Sequence, residues 1–89
     1  PLEASVLACA HIMGDATNTI ACLGLASGAE FDPSEAILAC GEILTGTSNL
    51  TQCVSIAVSQ AHEPSTRVRA CGVDNTSNSS AMACLRAEL

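Results

Sequence analysis

The chain has neither Trp nor Tyr and only one Phe, and its three cations are all arginines that fall after residue 62. Each shortage narrows the field. Without large aromatics, burial must come from Val, Leu, Ile, Met and Ala. A formal charge of -6 argues against nucleic acid and anionic membrane surfaces as partners, because both are held by Lys and Arg. No apolar run approaches 18 residues, which excludes a transmembrane helix. There is no Cys-x-x-Cys, no Gly-x-Ser-x-Gly and no glycine-rich phosphate loop. The residues therefore nominate no catalytic group, metal or cofactor, and the chain reads as a non-enzyme.

What the chain does have is cysteine in a strict rhythm. Cys9, Cys22, Cys40, Cys53, Cys71 and Cys84 are separated by 13, 18, 13, 18 and 13 residues, a period of 31. The surroundings recur with them. Leu7-Ala8-Cys9-Ala10 matches Leu38-Ala39-Cys40-Gly41, and Arg69-Ala70-Cys71-Gly72 matches both after its first residue. We read one domain, residues 1–89, made of repeats 1–31, 32–62 and 63–89.

The middle repeat shows the unit most clearly. Asp32-Pro33-Ser34-Glu35 reads as a capping box, with Asp as N-cap, Pro at N1 and Glu at N3. The first helix then carries an apolar stripe of Ala36, Ile37, Cys40, Ile43 and Leu44. Thr45 to Asn49 breaks it, with Ser48 or Asn49 placed to cap a second helix bearing Cys53, Val54, Ile56, Ala57 and Ala61. In the first repeat Pro1 falls at N1, Gly14 to Thr17 make the turn, and the second helix runs from about Asn18 to Ser27-Gly28.

Two short helices and a tight turn form a hairpin, and the cysteines come level across it. A disulfide needs Cα atoms about 6 Å apart, closer than the usual helix spacing of about 8 to 10 Å. Ala or Gly on either side of the first cysteine of each repeat permits that approach. Of the many pairings six cysteines allow, Cys9–Cys22, Cys40–Cys53 and Cys71–Cys84 give every repeat the same staple. Pairing across the longer gaps strands Cys9 with Cys84. The expected fold is all-α: three tandem disulfide-stapled hairpins forming a short α-solenoid or compact six-helix bundle.

So small a chain buries only about 60% of its unfolded surface. Three staples, each contributing on the order of 3 kcal/mol through the unfolded state, are then comparable to its whole stability. Regular disulfides place the protein in an oxidising compartment, extracellular or periplasmic. A start at Pro1 without a basic leader fits a mature secreted form.

The third repeat replaces apolar residues by polar ones: Leu7 and Leu38 become Arg69, Ile12 and Ile43 become Asp74, and Met13 and Leu44 become Asn75. These positions are expected to face a next repeat, so their polarity marks a C-terminal cap. Repeat one carries no such change, so its flank is expected either to be covered by another chain, self-association included, or to have been continued by more sequence. Phe31, in the first connector, reads as a plug between repeats.

The most suggestive surface is the row of turns. Asp15, Thr17, Asn18, Thr45, Thr47, Asn49, Asn78 and Ser80 should stack along one edge as a polar recognition strip, unless they serve only as caps. Asn49, Asn75 and Asn78 open N-glycosylation sequons on that edge. His11, Asp15 and Glu42 could meet at a metal, but isolated surface charges are far commoner. The favoured reading is a secreted protein acting by protein recognition or signalling, its partner or receptor unidentified. The alternatives are a carrier of a small hydrophobe or lipid, since 48% of residues are apolar, and an ice-binding protein. The cysteine spacing differs from that of secreted helical six- and eight-cysteine lipid carriers.

Overall fold

The computed structural model describes residues 2–89, the side chain of Leu2 excepted; Pro1, read as N1, lies outside them. It contains six helices: α1 Leu2–Met13, α2 Ala16–Ala26, α3 Ser34–Ile43, α4 Thr47–Val58, α5 Ser65–Val73 and α6 Asn78–Glu88. Consecutive helices pair as three hairpins. In one layer α3 packs between α1 and α5, and in the other α4 packs between α2 and α6. The result is a slab of stacked hairpins with Cα extents of 31 × 27 × 14 Å.

The three staples form as the spacing predicts, Cys9–Cys22, Cys40–Cys53 and Cys71–Cys84, with Cα separations of 5.7, 5.8 and 5.6 Å. Ile37, Val54, Val68 and Leu85 are fully buried around them. Each such side chain contributes roughly 1.5 to 3 kcal/mol of transfer free energy. The middle-repeat stripes are buried as expected except at three places, of which Ile56 is half-buried against the core. Ile43 is half-buried at the joint with the next repeat, and Ala61 is exposed beyond the end of α4.

Glycine sets how closely the hairpins stack. A Cβ built on Gly41 would overlap the Cγ2 of Ile12, and one on Gly72 would overlap the Cγ2 of Ile43. The isoleucine near the end of each helix thus drops into a notch on the equivalent helix of the next repeat. At the third repeat the isoleucine becomes Asp74, which is exposed. α5 is the shortest helix, with 9 residues against 10 in α3 and 12 in α1.

Other expectations need correction. Leu7 does not face the next repeat: it is 65% exposed on the outer surface of α1. Arg69, its counterpart, lies on the same outer surface and reaches back to Glu42, with Nε and Nη2 donating at 2.9 to 3.1 Å, and to Glu35 at 3.6 Å. Met13 and Leu44 are buried core residues, and Asn75 at that position turns its amide onto the Cys71 carbonyl at 2.8 Å. Phe31 is only half-buried and stands apart from the core, because the connectors are plugged by proline: Pro33 is buried and Pro64 fully so.

Asp32 accepts the Ser34 N–H at 3.1 Å, as an N-cap one residue before Pro33 should. The reciprocal half of the capping box is absent among the described residues, since Glu35 points towards Arg69 instead. Glu63 plays Asp32's part in the third repeat by accepting the Ser65 N–H.

Candidate functional site

Each turn of the predicted polar strip ends in a helix N-terminus, and the first four N–H groups there need acceptors. In the first turn Gly14, at φ 80°, reverses the chain and Asp15 caps α2. Its carboxylate accepts the Asn18 N–H and side-chain amide, both at 2.8 Å, while its carbonyl accepts the Thr19 hydroxyl at 2.6 Å. In the third turn Ser77 caps α6 by accepting the Ser80 N–H at 3.1 Å, and the two hydroxyls are 2.9 Å apart.

The middle turn works differently. Gly46, at φ 89°, stands where Asp15 and Ser77 stand, and has no side chain with which to cap. The neighbouring repeat supplies the polar contact there. Asn78 accepts the Thr45 N–H at 2.9 Å and donates to the Thr45 hydroxyl at 3.1 Å, while the Asn49 amide donates to the Thr45 carbonyl at 3.0 Å.

The caps are therefore Asp15, Gly46 and Ser77, and not Asn18, Ser48, Asn49 or Ser80, so each second helix begins earlier than its sequence suggests. Of the eight strip residues, the fold joins Thr45, Asn49 and Asn78 in one network and Asp15 with Asn18 in another. Ser80 is tied to Ser77, and Thr17 and Thr47 are exposed. All three sequon asparagines, Asn49, Asn75 and Asn78, use their side-chain amides to satisfy the protein's own carbonyls or hydroxyls.

Electrostatics follow the same contacts. Asp15 and Asp32 titrate below the ordinary 3.8 because backbone N–H groups of Asn18 and Ser34 stabilise their anions. Glu42 titrates below 4.5 because Arg69 donates to it, and Arg69 is raised in turn. His11, Asp15 and Glu42 do not come together: no group of three or more His, Cys, Asp or Glu able to hold a metal ion occurs among the described residues.

No protein-family model, no curated protein and no solved structure matches this chain. Its possible sites are therefore those its own surface supplies. A recess of about 440 Å3 at the first connector is lined by Ser5, Ala26, Ala29, Phe31 and Pro33, with Glu30 and Asp32 at its edge. An apolar groove between α1 and α3 holds Ala4, Leu7, Ala8 and Leu38. Ile20 and Val73 are 68% and 77% exposed at opposite ends of the slab. Nothing in the sequence signals the exposure of Ile20, since its equivalents in the later repeats are one polar residue, Thr51, and one apolar, Met82.

Proposed function

We propose that the protein is a rigid recognition module of an oxidising compartment, secreted or periplasmic, that acts by presenting its outer surface to another protein, as in signalling. One observation carries this reading. Staples with Cα separations of 5.6 to 5.8 Å hold the two helix layers shut in all three hairpins. The space between layers is filled by apolar side chains such as Ile37, Val54, Met82 and Leu85, which favours binding at the outer surface. Loss of rotational and loop freedom on binding is small for so constrained a scaffold, which favours surface recognition.

A carrier of a small hydrophobe is the second reading, favoured by the mostly apolar recess beside Phe31. That recess is open to solvent, whereas small-ligand sites bury about 70 to 90% of their ligand. Ice binding loses support because the side-chain amides of Asn18, Asn49 and Asn78 are engaged with the protein's own groups, which leaves chiefly Thr17 and Thr47 free on the turn edge. Titration of the oxidised protein with a fluorescent fatty acid, alongside native mass spectrometry, separates the first two. We expect no saturable uptake and no ligand mass; stoichiometric binding overturns the recognition reading.

A further inference from the structure

Burial along the repeat distinguishes the two stacking faces of each hairpin. Val6, Ile37 and Val68 are equivalent; the second and third are fully buried, while Val6 is 37% exposed. Ile20, Thr51 and Met82 are equivalent; Met82 is buried and Thr51 half-buried, while Ile20 is exposed. Ala10 matches Gly41 and Gly72, the notches that receive the preceding hairpin. Val6, Ala10 and Ile20 thus lie on the face by which each later hairpin accepts its predecessor, and among the described residues all three are exposed.

The opposite end is different. There Arg67, Asp74 and Glu88, with Ala70 and Cys84, surround a recess. One end of the stack is polar and the other apolar.

We propose that the Val6, Ala10 and Ile20 face docks an amphipathic helix of a partner protein whose apolar seam is flanked by Lys or Arg; this rests on the recognition reading above. The shape is that of a helix receptor, because the same face of the second and third hairpins accepts a helical hairpin within this molecule. The charge is acidic. Glu3 shares the i, i+3, i+7 stripe with Val6 and Ala10. Asp15 lines a recess of about 390 Å3 with Ala10, Gly14, Ala16, Thr19 and Ile20. No Lys or Arg occurs in residues 1–62.

The Cβ of Ala10 fills the notch, so the incoming helix presents a small residue there and not the isoleucine used inside the stack. A second copy fits poorly. Face to face, it sets Glu3 and Asp15 against their own counterparts. Head to tail, it presses Asp74 onto Ala10 and buries Arg67 and Glu88.

The test uses two labelled peptides of about 20 residues, long enough to be helical. They share a Leu/Ala seam, and one is flanked by Lys and the other by Glu. Fluorescence anisotropy with the oxidised protein should show binding of the Lys-flanked peptide only. Raised salt should weaken it, and Ile20→Glu should weaken it about tenfold. Leu7→Glu, an exposed change on another surface, should leave it unaltered. Equal binding of the Glu-flanked peptide, indifference to Ile20→Glu, or no binding overturns the proposal. A dimer in sedimentation velocity that Ile20→Glu abolishes assigns the face to a second copy and overturns it too. Fatty-acid uptake would sink the recognition reading itself, so the two failures are distinguishable.

Discussion

Glycine to alanine changes within these helices should have opposite signs at different repeats. In an unobstructed helix interior the change stabilises by about 0.5 to 1 kcal/mol, because alanine loses less backbone entropy on folding. Gly24 in α2 is such a site, with nothing within 4 Å of a built Cβ. At Gly72 the new methyl overlaps the Ile43 Cγ2 and comes within 2.9 Å of its Cβ and 3.7 Å of its Cα. A β-branched side chain has little χ1 freedom with which to yield, so the helices must part. Overpacking of this kind costs about 1 to 3 kcal/mol, which outweighs the propensity gain and leaves a net loss of about 1 kcal/mol. Gly41→Ala should be milder, since the Ile12 Cβ is 3.2 Å away. Guanidinium unfolding of the oxidised protein, followed by circular dichroism, gives the ranking Gly24→Ala, wild type, Gly41→Ala, Gly72→Ala in falling stability. Combining Gly72→Ala with Ile43→Ala should recover part of the loss, because the second change removes the obstruction. If Gly72→Ala and Gly24→Ala stabilise alike, the notch does not set the stacking distance.

The staples should also differ in lability. Cys9, Cys22, Cys40 and Cys53 are fully buried, whereas Cys84 is half-buried at the open end; limiting reductant with mass mapping of trapped thiols should find Cys71–Cys84 opened first, since exchange needs access to a sulfur. Uniform reduction would contradict that order. Acid should weaken the fold. Asp15, Asp32 and Glu42 have folded pKa values below the ordinary 3.8, 3.8 and 4.5, so the native state binds fewer protons than the unfolded one. Their stabilisation is therefore present above the ordinary values and lost as pH falls through the lowered ones. Asp15→Asn should flatten that acid decline while keeping a capping oxygen, as thermal melts from pH 6 to pH 2.5, a window spanning roughly those values, would show; an unchanged slope would remove Asp15 from the account.

Much of the fold was legible because one constraint repeated three times. The period fixed the pairing of cysteines, and the Asp32-Pro33 and Ser27-Gly28 signals bounded helices to within a residue or two. The misreadings have local causes. Thr45 to Asn49 offers several capping side chains, but the cap position went to Gly46, the residue able to take φ 89°. Asn18 and Ser80 resemble caps in type, yet each donates its N–H to Asp15 or Ser77 three residues earlier. Leu7 was indistinguishable from Leu38, which packs partly buried against the core, because a helix as short and apolar as α1 has greasy residues on its outer surface too. Which apolar side a hairpin turned to its predecessor was invisible until equivalent positions were compared for burial.

That comparison also explains where the polar contacts went. Among the described residues every inter-repeat side-chain hydrogen bond joins the second and third hairpins: Arg69 to Glu42, Arg86 to Gln52 and Asn78 to Thr45. The third hairpin leaves Ala70 exposed and Cys84 half-buried, and directional contacts back to its predecessor accompany the packing there. The first hairpin makes the opposite arrangement. It is held to the second by apolar contacts such as Ile12 against Gly41, and it presents Val6 and Ile20 outward. Exposed surface that is singly apolar needs no explanation. Val6 and Ile20, on adjacent helices, are equivalent to positions buried in the third repeat and buried or half-buried in the second, and with Glu3 and Asp15 beside them they form a surface already shaped to receive a helix.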